Sequence, residues 1–332
     1  MEEGLKGKAE LIHGGAVRLP EGLQLQGTYP QDGTMVFSFS GCRVKKSVSY
    51  KEGEFELRQS GRILSIWKDG SQIANGVKVL PTSFHCPDQA YFNLDPERDG
   101  RPCYYDSPVI PVSQSLISVE DIMERLSTAM SRGKVKSVAF TSGICGDAGS
   151  TAERMADCVA AVREAFPKMT IGAEAYITEP SQIGMLREAG INEIRINTGC
   201  ARRDIFEKLC PDADYELPFE MLKACTDYFK RGKMASTFFY GLGETDQDVD
   251  MMLERLSRMN VLPVLRMART NGRDRELYEK CGIPMEQPSV LRSMFLAGLQ
   301  KNAMARHGLN PERFHSMCFT CQCCDLVPFY DF

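Results

Sequence analysis

Four cysteines crowd the tail of the chain: Cys318, Cys321 and Cys324 follow a Cys-x2-Cys-x2-Cys spacing, with Cys323 as an extra thiol. Three thiolates at such gaps on a tight turn can cap three corners of a cubane iron–sulfur cluster, as the ferredoxin run of cysteines does. Zinc asks for four ligands, and His315 or Cys323 would complete a site of that kind. Unmetallated thiols are the remaining reading. Further upstream, Cys86 is followed by a polar loop rich in Pro, Gly and charge, and then by Cys103-Tyr-Tyr-Asp106. Two thiols there can bind a metal, form a redox pair or do neither.

Thirteen cysteines in 332 residues, behind a charged start (MEEGLKGK) that is no signal peptide, are not the pattern of a secreted disulfide framework. Metal or redox chemistry gains weight accordingly. Cys158, Cys225 and Cys281 sit in helix-like or helix-end contexts where a small apolar thiol packs well. Cys42 follows Gly41 and reads as a buried thiol or a ligand.

The elements that must position these groups fall into three stretches. Residues 1–76 read as a small β-rich region, with short alternating runs such as MVFSFSG and RILSIWKDG broken by Gly, Asp and Lys turns. A strand through Val77, Val79, Leu80 and Phe84 then releases the chain at Cys86. From Ser118 onward helices and strands alternate. Ser118 and Asp121 form a helix start, and strands are expected near 138, 172, 194, 237 and 264. With the strand near 80 that makes six β-loop-α units over 77–287. No G-x-G-x-x-G follows the first strand, so a partial (β/α)6 barrel of TIM type fits better than an open dinucleotide-binding sheet. Its site belongs at the carboxyl ends of the strands. A last helix and the cysteine-rich tail occupy 288–332.

Composition excludes several classes. The formal charge of -4 comes with no Lys/Arg stripe, so no nucleic-acid partner is expected. No apolar run approaches the roughly 18 residues of a membrane span, so a cytoplasmic protein is the expectation.

Several of these strand ends resemble the barrel of radical S-adenosylmethionine enzymes: TSG at 141–143, Glu174, Arg195 and Asn197, and above all FYGLGETDQDVDMMLERL at 239–256. The branch of biotin synthase and lipoyl synthase is the most similar. The resemblance spans roughly 77–270. It implies a [4Fe-4S] cluster, S-adenosylmethionine as cosubstrate, homolysis to a 5′-deoxyadenosyl radical and an anaerobic setting. It further implies that Thr141, Ser142 and Gly143 offer a backbone edge to the cosubstrate amine. Glu174 would accept from ribose or amine, Arg195 would hold the carboxylate, and Gly241 and Gly243 would floor the adenine. A plain Glu174–Arg195 pair across neighbouring strands is the structural alternative.

The family usually holds its cluster with Cys-x3-Cys-x2-Cys, and this chain departs from that. Cys86 and Cys103 are its candidate ligands, with Asp106, Cys145, Cys42 or nothing as the third. By the same resemblance Cys318, Cys321 and Cys324 would carry an auxiliary cluster, making one or two clusters in all. Sulfur insertion into a C–H bond, a transferase reaction, is the reaction it suggests. The implied partners are a small-molecule or acyl-type substrate and an electron donor such as ferredoxin or flavodoxin; a further protein partner is unspecified. A barrel that no longer cleaves S-adenosylmethionine and serves as an iron–sulfur scaffold is the competing function, and a zinc enzyme a third. Arg195, Asn197, Tyr240, Arg266 and Arg269 are expected to line the pocket, the late arginines facing an anionic group.

Overall fold

The computed structural model describes residues 2–23, 33–82, 84, 87–94, 117–133, 135–144, 147–268, 272–285 and 287–332. Cys86, Cys103, Asp106, Cys145 and Arg269 lie outside them.

The amino-terminal stretch begins with a helix, α1 (Glu2–His13), that the β-rich reading does not anticipate. Among the described residues six strands follow: β1 (Val17–Arg18), β2 (Thr34–Phe39), β3 (Cys42–Ser49), β4 (Phe55–Ser60), β5 (Ile63–Lys68) and β6 (Ser71–Leu80). They close into a small barrel in the order β1-β3-β2-β6-β5-β4. Ser40–Gly41 and Asp69–Gly70, all at positive φ, make the two-residue turns between β2 and β3 and between β5 and β6. That backbone matches the twist of a hairpin and suits these residues. Phe37, Phe39, Val44, Phe55, Leu57 and Ile66 fill the interior.

The strand expected at 77–84 therefore belongs elsewhere. Val77, Val79 and Leu80 form the end of β6, which pairs antiparallel with β2 and β5 in the small barrel, while Phe84 packs on Phe92 of the main core. Along β6 only Ala74 and Val77 are buried, three apart rather than two because the register against β5 shifts between them. The first parallel strand is instead β7 (Gln89–Asn93), a short run with three buried positions that carries too few β-branched residues to stand out in sequence. Cys86 thus precedes that strand in the chain, and only Cys103 follows it.

Six units then succeed one another. After β7 come α2 (Val119–Arg132), β8 (Ser137–Thr141), α3 (Ala148–Ala165), β9 (Thr170–Glu174), α4 (Pro180–Ala189) and β10 (Glu193–Arg195). The chain continues through β11 (Gly199–Cys200), α5 (Arg203–Leu209), α6 (Leu217–Ala224), β12 (Met234–Tyr240), α7 (Asp246–Arg258) and β13 (Leu262–Met267). The Ser118–Asp121 capping box starts α2 as the sequence predicts. Strands β7, β8, β9, β10, β12 and β13 pair in parallel, each with its successor in this order. Consecutive parallel pairing with helices between strands is the winding of a partial TIM-type barrel. Its outward residues, among them Val138, Phe140, Ile171 and Ile194, pack on the helices.

The inner face is filled by the chain's own end. Beyond α8 (Gly272–Lys280) and α9 (Val290–Arg306), the tail carries a short helix, α10 (Met317–Cys321). Phe314, Met317, Phe319 and Val327 pack against Ala139, Ala235, Leu262 and Val264 from the strands. Small residues on the inward rows make the room. A Cβ on Gly172 would stand 2.2 Å from Ser316 Oγ and 2.9 Å from Met317 Cε. Buried Glu193 accepts from the His315 amide and from the Ser316 hydroxyl, and the Gln89 side chain accepts from the Met317 amide. Gly172→Val is expected to cost about 1–3 kcal/mol, as overpacked cores do. A lowered denaturant midpoint, together with carboxypeptidase trimming of the tail under native conditions, would check it.

Candidate active site at the carboxyl ends of the parallel strands

Strand register places Thr141, Glu174 and Arg195 in one row at the carboxyl ends of β8, β9 and β10. Asn197 lies just past Arg195, and Arg266 stands on β13 beside Phe239. These inward residues converge, and the tail meets them there. The Arg195 guanidinium pairs with the Glu174 carboxylate through Nη2, while its Nη1 donates to Cys318 Sγ at 2.7 Å. Asn197 donates to Glu174 from Nδ2 at 2.5 Å, and its Oδ1 accepts from the Thr237 amide at 3.1 Å. Arg266 donates to Asp325 of the tail at 2.8 Å and to Cys318 Sγ at 3.3 Å. Two guanidiniums therefore share one sulfur, and each is matched by a carboxylate.

The titration of these groups follows from burial and pairing. Burial pushes the Glu174 carboxyl up, yet the Arg195 charge and the hydrogen bonds from Arg195 and Asn197 outweigh it, so the carboxyl sits below its ordinary range. For Arg195, burial works against the charge, but the neighbouring Glu174 carboxylate holds the guanidinium protonated. Cys318 goes the other way: burial raises its pKa more than the two arginines lower it, so the thiol keeps its proton. Burial likewise raises the Tyr91 phenol, with Glu174 adding to the shift. Among the described residues, two buried polar atoms on this face have no partner, Arg195 Nε and Thr237 Oγ1.

The remaining candidates are placed less as expected. Ser142 Oγ donates to the Gly143 carbonyl, and the Thr141 carbonyl accepts from the Leu94 amide. Gly241 and Gly243 sit at the same rim with φ of 93° and 94°, in a turn held by Glu244, whose carboxylate accepts from the Gly241 and Leu242 amides at 2.8 Å each. Thr245 and Asp248 then form the capping box of α7. The GLGET-D string is thus, on its own terms, a strand-to-helix turn with a built-in cap. Tyr240 is a correction. It lies on the opposite face of β12 from Thr237 and Phe239 and donates to Ser293 of α9, so it does not line the interior.

The tail cysteines diverge. Cys318 enters the barrel, Cys321 and Cys323 are buried against Val36 and Leu80 of the small barrel, and Cys324 is exposed. Among the described residues no three His, Cys, Asp or Glu side chains come together as a metal-ready group. The auxiliary cluster expected on Cys318, Cys321 and Cys324 finds no ready three-thiol seat among the described residues: Cys318 and Cys324 lie within electrostatic reach of each other, while Cys321 packs toward the small barrel. Cys42 is no ligand candidate either: it is fully buried in the small barrel, where burial and nearby Asp331 push its thiol up to about 12. Sequence reasoning missed Asp325 as a partner of Arg266, and also the anchors Gln89 and Glu193. Only the three-dimensional path of the tail brings them into play.

Topology defines the class as a partial β/α barrel with its polar residues at the carboxyl rim. No family profile matches the sequence. Among solved structures, the chain is similar to coproporphyrinogen III oxidase (HemN) from Escherichia coli, described as a radical SAM enzyme, at 14% identity and a TM-score of 0.46. That alignment covers 66% of this chain and 53% of the other. HydG, a maturase of the [FeFe]-hydrogenase, aligns at 13% identity and a TM-score of 0.49, over 65% of this chain and 50% of its own. Methylornithine synthase (PylB) aligns at 13% and 0.48, over 67% and 69%. The chain thus spans about half the length of the first two. Among the described residues, no helix is long and apolar enough to cross a membrane.

Proposed function

We propose that this chain is an enzyme of the radical S-adenosylmethionine type, acting on a small-molecule or acyl-type substrate with electrons from a donor such as ferredoxin or flavodoxin. The observation that carries the reading is the convergence of Thr141, Glu174, Arg195 and Asn197 on one rim of a six-unit parallel barrel, the residues on which the sequence resemblance rests. Held at a [4Fe-4S] cluster, S-adenosylmethionine would supply a carbon-centred radical. Cys86 and Cys103, with Asp106 or Cys145 as further donors, are the residues proposed to hold that cluster. The chain's own part is to orient: Arg195 and Asn197 fix the Glu174 carboxylate, and the tail closes the barrel from within. Sulfur insertion, the reaction the biotin and lipoyl synthase resemblance suggests, would in addition require a sulfur donor beside the barrel cluster.

One observation favours a second reading, a barrel that binds iron and sulfide without cleaving the cosubstrate. Arg195 and Asn197 already occupy the Glu174 carboxylate, so a ribose must displace them to reach it. Anaerobic reconstitution separates the two. About four iron and four sulfide per chain, the content of a single [4Fe-4S] centre, with 5′-deoxyadenosine formed on dithionite reduction, is the expected result. The same loading without 5′-deoxyadenosine favours the second reading, and zinc without sulfide removes both.

A further inference from the structure

Helices α7 and α9 carry an apolar face that no described residue covers. Among the described residues seven large apolar side chains are exposed, and three of them, Met251, Leu291 and Phe295, belong to these two helices. Scattered single residues of that kind are ordinary, whereas a shared face is not. The helices lie side by side and run the same way: Arg292 meets Glu244 and Asp246 at their starts, and Arg306 and His307 meet Glu254 at their ends. On α9, Leu291 and Phe295 stand one turn apart on the side opposite buried Ser293, Leu296 and Gln300, and Gly298 continues their row. A Cβ on Gly298 would meet nothing within 4 Å. Glycine weakens a helix interior relative to alanine, and no described neighbour requires it here. Its notch beside Phe295 suits the close approach of another surface.

The charges on α7 say which surface. That helix is acidic where it begins, at Asp246, Asp248 and Asp250, and basic where it ends, with Arg258 exposed and without an ion pair among the described residues. Gln247, Met251 and Arg258 share its outward row. We propose that the outer face of α7 and α9 is the interface of a two-fold dimer with a second copy of this chain. A two-fold axis lying in the face and crossing the helices sets α7 on its copy and α9 on its copy, each pair antiparallel. Arg258 of each copy then meets the acidic first turn of the other α7, the Met251 side chains meet near the centre, and each Phe295 enters the notch at the other Gly298. A symmetric contact requires such self-complementarity, since each copy must receive at one end what it offers at the other. A partner of different sequence gives no reason for both signs of charge to flank the apolar residues on one row. The face lies on the helical outside of the barrel, so the proposal is independent of the chemistry at the rim.

Sedimentation equilibrium tests it on the full chain, purified anaerobically with excess reductant so that no disulfide joins two copies. A monomer–dimer equilibrium with a Kd on the order of 1–10 μM is expected, the weak end for a specific interface. Phe295→Ala is expected to weaken it about thirtyfold, the loss of one central aromatic anchor, with an unchanged circular dichroism spectrum because the ring is exposed in the monomer. Charge exchange reads the symmetry. Arg258→Glu and Gln247→Lys are each expected to weaken the dimer about two- to fivefold. Combined in one chain they are expected to restore it, because the exchanged signs meet again across the two-fold axis. A chain that stays monomeric at about 100 μM, tenfold above the expected range, would overturn the proposal and leave the face to a different protein. So would a dimer indifferent to Phe295→Ala, or one that the combined charge variant leaves weaker than either single change.

Discussion

Replacing Lys8 with methionine is expected to remove about 3–5 kcal/mol of stability, the usual cost of stranding one partner of a buried ion pair. Lys8 and Asp331 are both fully buried, 2.7 Å apart, and Lys8 Nζ also donates to the Gln322 carbonyl at 2.7 Å. Asp331 in turn accepts from the Val327 amide at 2.6 Å. The pair ties helix α1, at the start of the chain, to the residue before its end. Without the ammonium, the Asp331 carboxylate stays buried with only the Val327 amide and the Cys42 thiol beside it, and the tail loses its clamp. Unfolding in urea, followed by far-ultraviolet circular dichroism, should show the lowered midpoint. Lys8→Met combined with Asp331→Leu is expected to recover much of the loss, since removing both charges removes the desolvation cost as well. A single variant as stable as the wild type would mean that the tail is held by its apolar contacts alone.

The barrel was legible because its signals are local. Capping residues such as Ser118 and Thr245, apolar periodicity in α2 and α7, and β-branched runs each act within a few residues. The strand at 77–84 misled because an apolar run fits either a parallel strand or one wall of a small antiparallel barrel, and only its pairing with β2 and β5 decides. Tyr240 misled by one residue of register: side chains alternate along a strand, so a neighbour of an inward residue faces out. In the rim, the residue types were readable but their partners were not. Arg195 meets Glu174 across adjacent strands, which spacing suggests, whereas Cys318 and Asp325 arrive from more than fifty residues beyond Arg266. The even spacing of the tail cysteines pointed to a shared metal. A helical turn followed by Gln322 at φ 60° leaves Cys321 packed toward the small barrel instead, away from Cys318.

Arg195→Met should be nearly as costly as the loss of Lys8, about 3–5 kcal/mol at neutral pH, and its cost should depend on pH in a defined direction. In the wild type the Glu174 carboxyl is depressed below its unfolded value of about 4.3. It therefore contributes stability that is present above that value and lost as pH falls through the folded pKa. Without the guanidinium, burial becomes the leading influence and the same carboxyl rises above its unfolded value. Its neutral form then folds without penalty at low pH, while at higher pH the folded protein must either hold a proton or bury an unpaired charge. The deficit relative to the wild type should therefore be small near pH 4 and widen toward pH 7. Urea midpoints measured across that range would trace it. Adding Glu174→Gln to Arg195→Met should flatten the profile and restore part of the stability, because no carboxylate is left to desolvate. The Cys318 sulfur, deprived of one of its two donors in both variants, cannot produce that pH dependence, since its thiol keeps its proton throughout the acidic range. A deficit independent of pH would thus assign the role of Arg195 to packing against the tail and not to the charge of Glu174.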